Sequence, residues 1–235
     1  MPRASSLAAI IAWLLPLLLA LAVNAPAKPL VMVDPGHGGR DIGVVAPGGK
    51  AENELMLDLA QRLAAALSPH CRTALTRTQD RFMPPEARTA AANRTGAALF
   101  VSLHAGAALD TIIAFQTVFY HQWSPSTAPA PAATSTDAAS WDHIQDKHTA
   151  QSRHLAEALA RALTKMPELP LRLDAQAQAA PLNVLKGANM PAVVVEVGHL
   201  THPLLSDWLS DPNHQDLLAQ TLAKAVLNFL ELRSD

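Results

Sequence analysis

Leu30-Val31-Met32-Val33-Asp34-Pro35-Gly36-His37-Gly38-Gly39 is a short apolar run that breaks into a glycine-rich turn. Such a run, bounded by Pro and Gly, reads as a buried strand. The glycines let the following backbone take conformations barred to other residues, so a side chain such as His37 can be aimed back across the strand end. Downstream, Glu52 to Leu67 carries Leu55, Leu59, Leu63 and Leu67 at a spacing of four, with Met56 and Ala60 beside them. That is one apolar face of a helix, and Pro69 follows its end.

The alternation continues along the chain. Arg72 to Thr76 reads as a second strand, Pro84 to Thr95 as a helix opened by prolines, Ala97 to Leu103 as a third strand and Ile112 to Tyr120 as a fourth. From Trp123 to about Ser140 the composition turns to Ser, Thr, Ala and Pro without apolar period, which predicts a loop or partly disordered insert rather than a domain boundary. Helical patterning resumes over Thr149 to Leu163. Pro181 to Lys186 and Pro191 to Val197 read as two further strands around the turn Gly187-Ala188-Asn189. Helices over Pro203 to Leu209 and Asn213 to Leu230 complete the chain. Strands alternating with helices predict a single α/β domain, a mainly parallel or mixed sheet of about six strands with helices on both faces.

With 235 residues, 49% of them hydrophobic, the chain is long enough for one domain with a sizeable core. A net charge of −2 offers no electrostatic case for nucleic acid or an anionic membrane as partner. Met1 to Ser6 carries Arg3 and no acid, Leu7 to Val23 is apolar apart from Pro16, and Ala25-Pro26-Ala27 is a small-x-small exit. This predicts a signal peptide over residues 1–27, cleaved after Ala27, with residues 28–235 forming the domain. The membrane is then a partner only before cleavage. A retained anchor is the alternative, since the apolar run approaches the ~20 residues a span needs. Cys71 is the only cysteine, which excludes an intramolecular disulfide.

Three apolar runs end in metal- or proton-handling groups: His37 after the first strand, His104 after the third, and Glu196 at the close of Ala192-Val193-Val194-Val195-Glu196-Val197. A carboxylate there is costly to desolvate unless a cation or a proton needs it. If the strands are parallel neighbours, these groups emerge on one sheet edge, where ligand sites of open α/β sheets collect. Glu52, at the amino end of the first helix, can reach the same edge. Two histidines and a carboxylate suit zinc with a position left for water, whose pKa falls to about 7 when bound. Ordinary structural or surface roles compete with this reading, because the chain has ten histidines and lacks a His-x-x-x-His motif. The glycine-rich turn could instead cradle phosphate, but it lacks the Lys-Ser/Thr ending of a P-loop.

The stretch from Val31 through Asp34-Pro35-Gly36-His37-Gly38-Gly39-Arg40-Asp41-Ile42-Gly43 resembles the opening motif of the zinc-dependent N-acetylmuramoyl-L-alanine amidases, catalytic domain of amidase type 3. Five further segments resemble that family in order: Glu52-Asn53, where the family usually has Glu-Lys; Thr76 to Asp80; Arg88 to Asn93; Val101 to Ala105; and Leu185 to Gly198. The resemblance implies His37, Glu52 and His104 as zinc ligands and Glu196 as the catalytic carboxylate. It implies an exported, periplasmic or cell-envelope hydrolase that cleaves the amide between N-acetylmuramic acid and L-alanine of the peptidoglycan stem peptide. A protein activator is a candidate partner. Glu54 is a rival ligand, but a helix turns roughly 200° over two residues, so Glu52 and Glu54 cannot both face one metal.

Departures from the family pattern surround the site. Gly106 stands where Asn is usual, and Gly198-His199-Leu200-Thr201-His202 replaces Gly-Phe-x-Ser-Asn. His199 and His202 are expected to be surface histidines ahead of the helix at Pro203, with substrate contact or a second metal as the other readings. Arg172 is a candidate fork-shaped donor to a stem-peptide carboxylate, or a plain surface residue. Some relatives carry a plugging helix at the insert; Trp141 to Lys147 is the one segment here that suits it. Two other functions stay open on the residues: a catalytically impaired wall-binding protein on the same scaffold, and a zinc carboxypeptidase acting on the stem peptide.

Overall fold

Six strands form one mixed sheet in the order β2-β1-β3-β6-β4-β5. The computed structural model describes residues 28–107, 115–122, 144–171 and 173–233. Residues 1–27, the insert at 123–140 and Arg172 therefore lie outside the described residues. The strands are β1 (Leu30–Pro35), β2 (Arg72–Leu75), β3 (Leu99–Gly106), β4 (Thr117–Tyr120), β5 (Gln176–Ala179) and β6 (Ala192–His199). The α-helices are α1 (Glu52–Leu67), α2 (Pro85–Thr95), α3 (Thr149–Thr164), α4 (Pro203–Ser210) and α5 (Pro212–Glu231). No described helix is long and apolar enough to cross a membrane.

β2, β1, β3 and β6 run parallel to their neighbours, whereas β4 is antiparallel to β6 and parallel to β5. The three central strands are covered on both faces, which is why they read as unbroken apolar runs instead of alternating ones. Val31, Val33, Val101, Leu103, Val193 and Val195 pack with Leu59, Leu63, Leu159, Leu222 and Val226 of α1, α3 and α5. On the opposite face Met32, Phe100 and Val194 pack with Ala92 of α2 and with Leu185 and Met190. Helix ends follow local chemistry. Gly96 takes a left-handed φ of 64° to close α2. The Asp211 side chain accepts from Asn213 N–H at 2.7 Å, ahead of Pro212, to open α5.

Two strand expectations are corrected. Pro181 to Lys186 forms turns, not a strand, with Leu185 N–H donating to Leu182 O at 3.0 Å. Its apolar residues are present because Leu185 is buried in the second core, covering the sheet from above. The sixth strand is instead β5, Gln-Ala-Gln-Ala, mostly exposed at the sheet edge, whose composition carries no apolar signal. β3 also runs further than Leu103, so His104 lies within the strand. Of the candidate plug Trp141 to Lys147, the described part belongs to a short 3-10 helix, Ile144–His148. Gln145 anchors it by donating to Ala188 O and Met190 O at 2.6 and 2.9 Å, at the end of β6 remote from Glu196.

The loop after β1 is clamped by two buried arginines. Arg88 of α2 donates to Asp34 Oδ1 (2.9 Å), Pro35 O (2.7 Å) and His37 O (2.8 Å). Arg77 donates to Pro35 O (3.1 Å), Gly36 O (2.6 Å) and Asn53 O (2.9 Å). Asp34, fully buried, also accepts from Thr76 Oγ1 and from Ser102 Oγ at 2.7 Å. Removing one member of such a buried pair strands the other charge. Asp34→Ala is therefore expected to lower the unfolding free energy by about 3–5 kcal/mol, read from urea denaturation. A loss below about 1 kcal/mol would show that Arg88 finds another counter-charge.

Candidate metal centre

Parallel pairing of β1, β3 and β6 brings their carboxyl ends to one edge, where three side chains converge. His37 Nε2 lies 3.1 Å from Glu52 Oε1. His104 Nδ1 lies 3.1 Å from the same oxygen. Ligand atoms of these three residues all fall within 4.8 Å of one another, and no other such cluster of His, Cys, Asp or Glu occurs among the described residues. Tetrahedral zinc with bonds of about 2.0–2.2 Å sets neighbouring ligand atoms roughly 3.3 Å apart. The donors thus fit a zinc ion in number and type, and the two histidine-to-Glu52 separations are close to that spacing.

Glu52 is reached from α1, and its Oε1 accepts from Ala105 N–H at 2.9 Å while Oε2 accepts from Val44 N–H at 3.0 Å. Burial alone would raise its pKa, but the hydrogen bonds from His104 and His37 and that of Ala105 prevail and bring it down to about 2. Burial also opposes charge on His37, yet the carboxylates of Glu52 and Asp41 prevail and raise its pKa above the ordinary 6.5. Asp41 Oδ1 lies 2.8 Å from His37 Nδ1. A carboxylate can only accept there, so Nδ1–H donates to Asp41, which fixes the ring and leaves Nε2 as the atom that would ligate an ion.

The loop closes over these three side chains only because it lacks side chains at two points. A Cβ on residue 36 would sit 2.5 Å from His104 Cε1, and one on residue 43 would sit 2.5 Å from Glu52 Oε2. Gly43 also has a φ of 67°. His37 itself takes a φ of 57°, uncommon for a non-glycine residue, and the Arg88 bond to its carbonyl helps hold it there.

Glu196 is the strand partner of His104 across β3 and β6, beside the cluster but not part of it. Burial pushes its carboxyl above the ordinary value; His104 and His37 pull against this, and Glu52 adds to it. Glu54 is exposed, which removes it as a ligand. His199 and His202 are not surface residues: they are 2% and 8% exposed, and neither joins the cluster. β6 continues past Glu196 and ends at His199, and His202 lies buried at the N-cap of α4. Asp41 is the site residue that sequence reasoning left without a role; its spacing of four from His37 in a tight loop was the available signal.

Residues 31–228 match the family model described as N-acetylmuramoyl-L-alanine amidase. The chain belongs to this family. It is similar to AmiA of Salmonella typhimurium, 27% identical over 221 residues, covering 86% of this chain and 76% of that protein. AmiC of Neisseria meningitidis serogroup B is 26% identical over 223 residues, and there the chain spans 53% of the relative's length. Among solved structures, the N-acetylmuramoyl-L-alanine amidase AmiC2 of Nostoc punctiforme superposes with a TM-score of 0.71 at 26% identity, covering 88% of this chain and 99% of that one. The amidase family membership and the α/β fold expected from the residues are both met.

For this amidase, Asp41→Ala is expected to weaken zinc binding about 10–100-fold, read by competition with a chromophoric chelator. Unchanged affinity would deny Asp41 its orienting role. The ionisations also predict a stability profile for chelator-treated protein. Glu52, with its pKa depressed from 4.5, stabilises the fold above that value and ceases to as pH falls toward 2. His37, raised from 6.5, contributes fully below that value and loses its contribution as pH rises through its elevated pKa. The contribution of these two groups to the urea-unfolding free energy is accordingly greatest between 4.5 and 6.5 and declines on either side. In His37→Gln the decline on the alkaline side should shrink; persistence of its full extent would assign it to another group.

Proposed function

We propose that the protein is an exported zinc hydrolase that cleaves the amide between the lactyl group of N-acetylmuramic acid and L-alanine of the stem peptide. The observation that carries the reading is the convergence of His37, Glu52 and His104, with Glu196 alongside, at one sheet edge of an amidase-family chain. The substrate class comes from that membership, and the names of the relatives support it. The sequence of residues 1–27 supports export to the periplasm or envelope.

His37, Glu52 and His104 are the residues that would hold the ion. When bound, zinc supplies Lewis acidity, lowering the pKa of a water to about 7 and polarising the scissile carbonyl. Glu196 takes the proton of the attacking water and returns it to the leaving amine nitrogen. Its burial suits that task, because a carboxyl pKa raised above the ordinary value makes the carboxylate a stronger base toward the water and lets the acid form hold the proton until it passes to the amine. Asp41 keeps the His37 ring in one orientation throughout.

Purified peptidoglycan separates the outcomes. Wild type should release free stem peptides and leave the glycan intact, and Glu196→Ala should lose about 10²–10⁴ of that rate. Chelation should abolish release, and added zinc should restore it. Undiminished release by Glu196→Ala would overturn the assignment of Glu196, and cleavage inside the stem peptide would move the protein to a peptidase class.

A further inference from the structure

Gly106 faces a space that is already filled. A Cβ at this position would lie 2.2 Å from Glu196 Oε2, and 3.0 and 3.3 Å from Cδ2 and Nε2 of His199. The carboxylate of Glu196 and the imidazole edge of His199 therefore share one notch, opened by the missing side chain of residue 106. Simple alternation along β6 would not predict this, because residues 196 and 199 belong to opposite faces of a regular strand. The pairing explains it. His104 is opposite Glu196, but Gly106 is opposite His199, so β6 carries one extra residue in this interval. A bulge of this kind moves every later side chain to the other face. Gly198, with a φ of 154°, lies within it, and Leu200 N–H donates to Gly106 O at 2.9 Å just beyond it.

The enclosure of His199 limits what it can do. Its ring is 2% exposed and meets the Phe115 ring edge-on at a centroid distance of 4.2 Å. A group so covered acts through a neighbour. It is outside the cluster formed by His37, Glu52 and His104.

We infer that Gly106 and His199 form the seat of Glu196. The bare strand at Gly106 admits the carboxylate, and the His199 imidazole closes its flank. Together they hold it on the His104 side of the strand pair, where the proton transfer takes place. A glutamate side chain has several staggered conformations open to it, and only those facing the reacting atoms are productive. His199 is thus a positioning residue, neither a metal ligand nor a group that touches substrate. This rests on the role proposed above for Glu196.

The test uses the zinc-loaded protein on purified peptidoglycan, with His199→Ala, Gly106→Ala and the double variant. Each single change should lower kcat by about 10–100-fold, the cost of misplacing a reacting group by roughly 1 Å. KM and the zinc dissociation constant should stay within about threefold, since the effect is confined to the proton-transfer group. The double variant should fall little below the worse single one, because both changes disable one seat. In crystals of His199→Ala the Glu196 carboxylate should leave its single wild-type position. Wild-type kcat in His199→Ala, or a loss of zinc affinity equal to the loss of kcat, would overturn the inference. If Gly106→Ala fails to fold, His199→Ala decides alone. Inactive wild type, or active Glu196→Ala, would instead count against the proposed reaction and is read in the same assay.

Discussion

A fully buried aspartate and two buried arginines hold the turn on which the site depends. Asp34 meets Arg88, Thr76 and Ser102, and the two guanidinium groups together take the carbonyls of Pro35, Gly36 and His37 in succession. Charges are expensive to remove from water, and this arrangement is stable only because nearly every donor and acceptor is matched. In return the backbone of the turn has little freedom, although His37 sits at a positive φ. A clamp of this kind lets a loop present a site side chain with the precision usually reserved for strands and helices.

The sheet supplies the second half of the geometry. Parallel neighbours end on one edge, so β1 presents His37 and β3 and β6 place His104 and Glu196 side by side. Helix α1 returns across that edge at its amino end, bringing Glu52 to both histidines. Glycines at positions 36, 43 and 106 are each filled by a site side chain rather than by their own. The site is therefore packed like a core, with small residues on the backbone matched to large functional ones. Asp80 extends this support, accepting from Gly39 N–H and from Asn53 Nδ2 at 2.7 and 2.9 Å.

Much of this was legible in the residues. Central strands announce themselves because burial on both faces demands apolar runs, and α1, α3 and α5 because one face must be apolar at a helical period. β5 was not legible, since an edge strand of Gln and Ala buries little and need not be apolar. Pro181 to Lys186 misled for the converse reason: Leu185 is buried by packing on the sheet without being part of it. Within the site, His37, His104 and Glu196 stood out as polar groups at the ends of apolar segments, and Glu52 through its place at the start of α1 and the family resemblance. Asp41, Arg77 and Arg88 did not, because their partners are backbone carbonyls, a ring nitrogen or the buried Asp34, brought near by loops and packing that local patterning does not reveal.

Local composition and period were enough for the central strands, the long helices, the α/β class and the chemical identity of the donors. Which strands are neighbours, and hence that those donors meet, is set by pairing across the sheet. The tertiary structure also decided the face on which His199 lies, because one extra residue in β6 reverses the alternation that a strand otherwise obeys. Strand pairing and register depend on contacts between residues distant in the chain, and no local pattern encodes them.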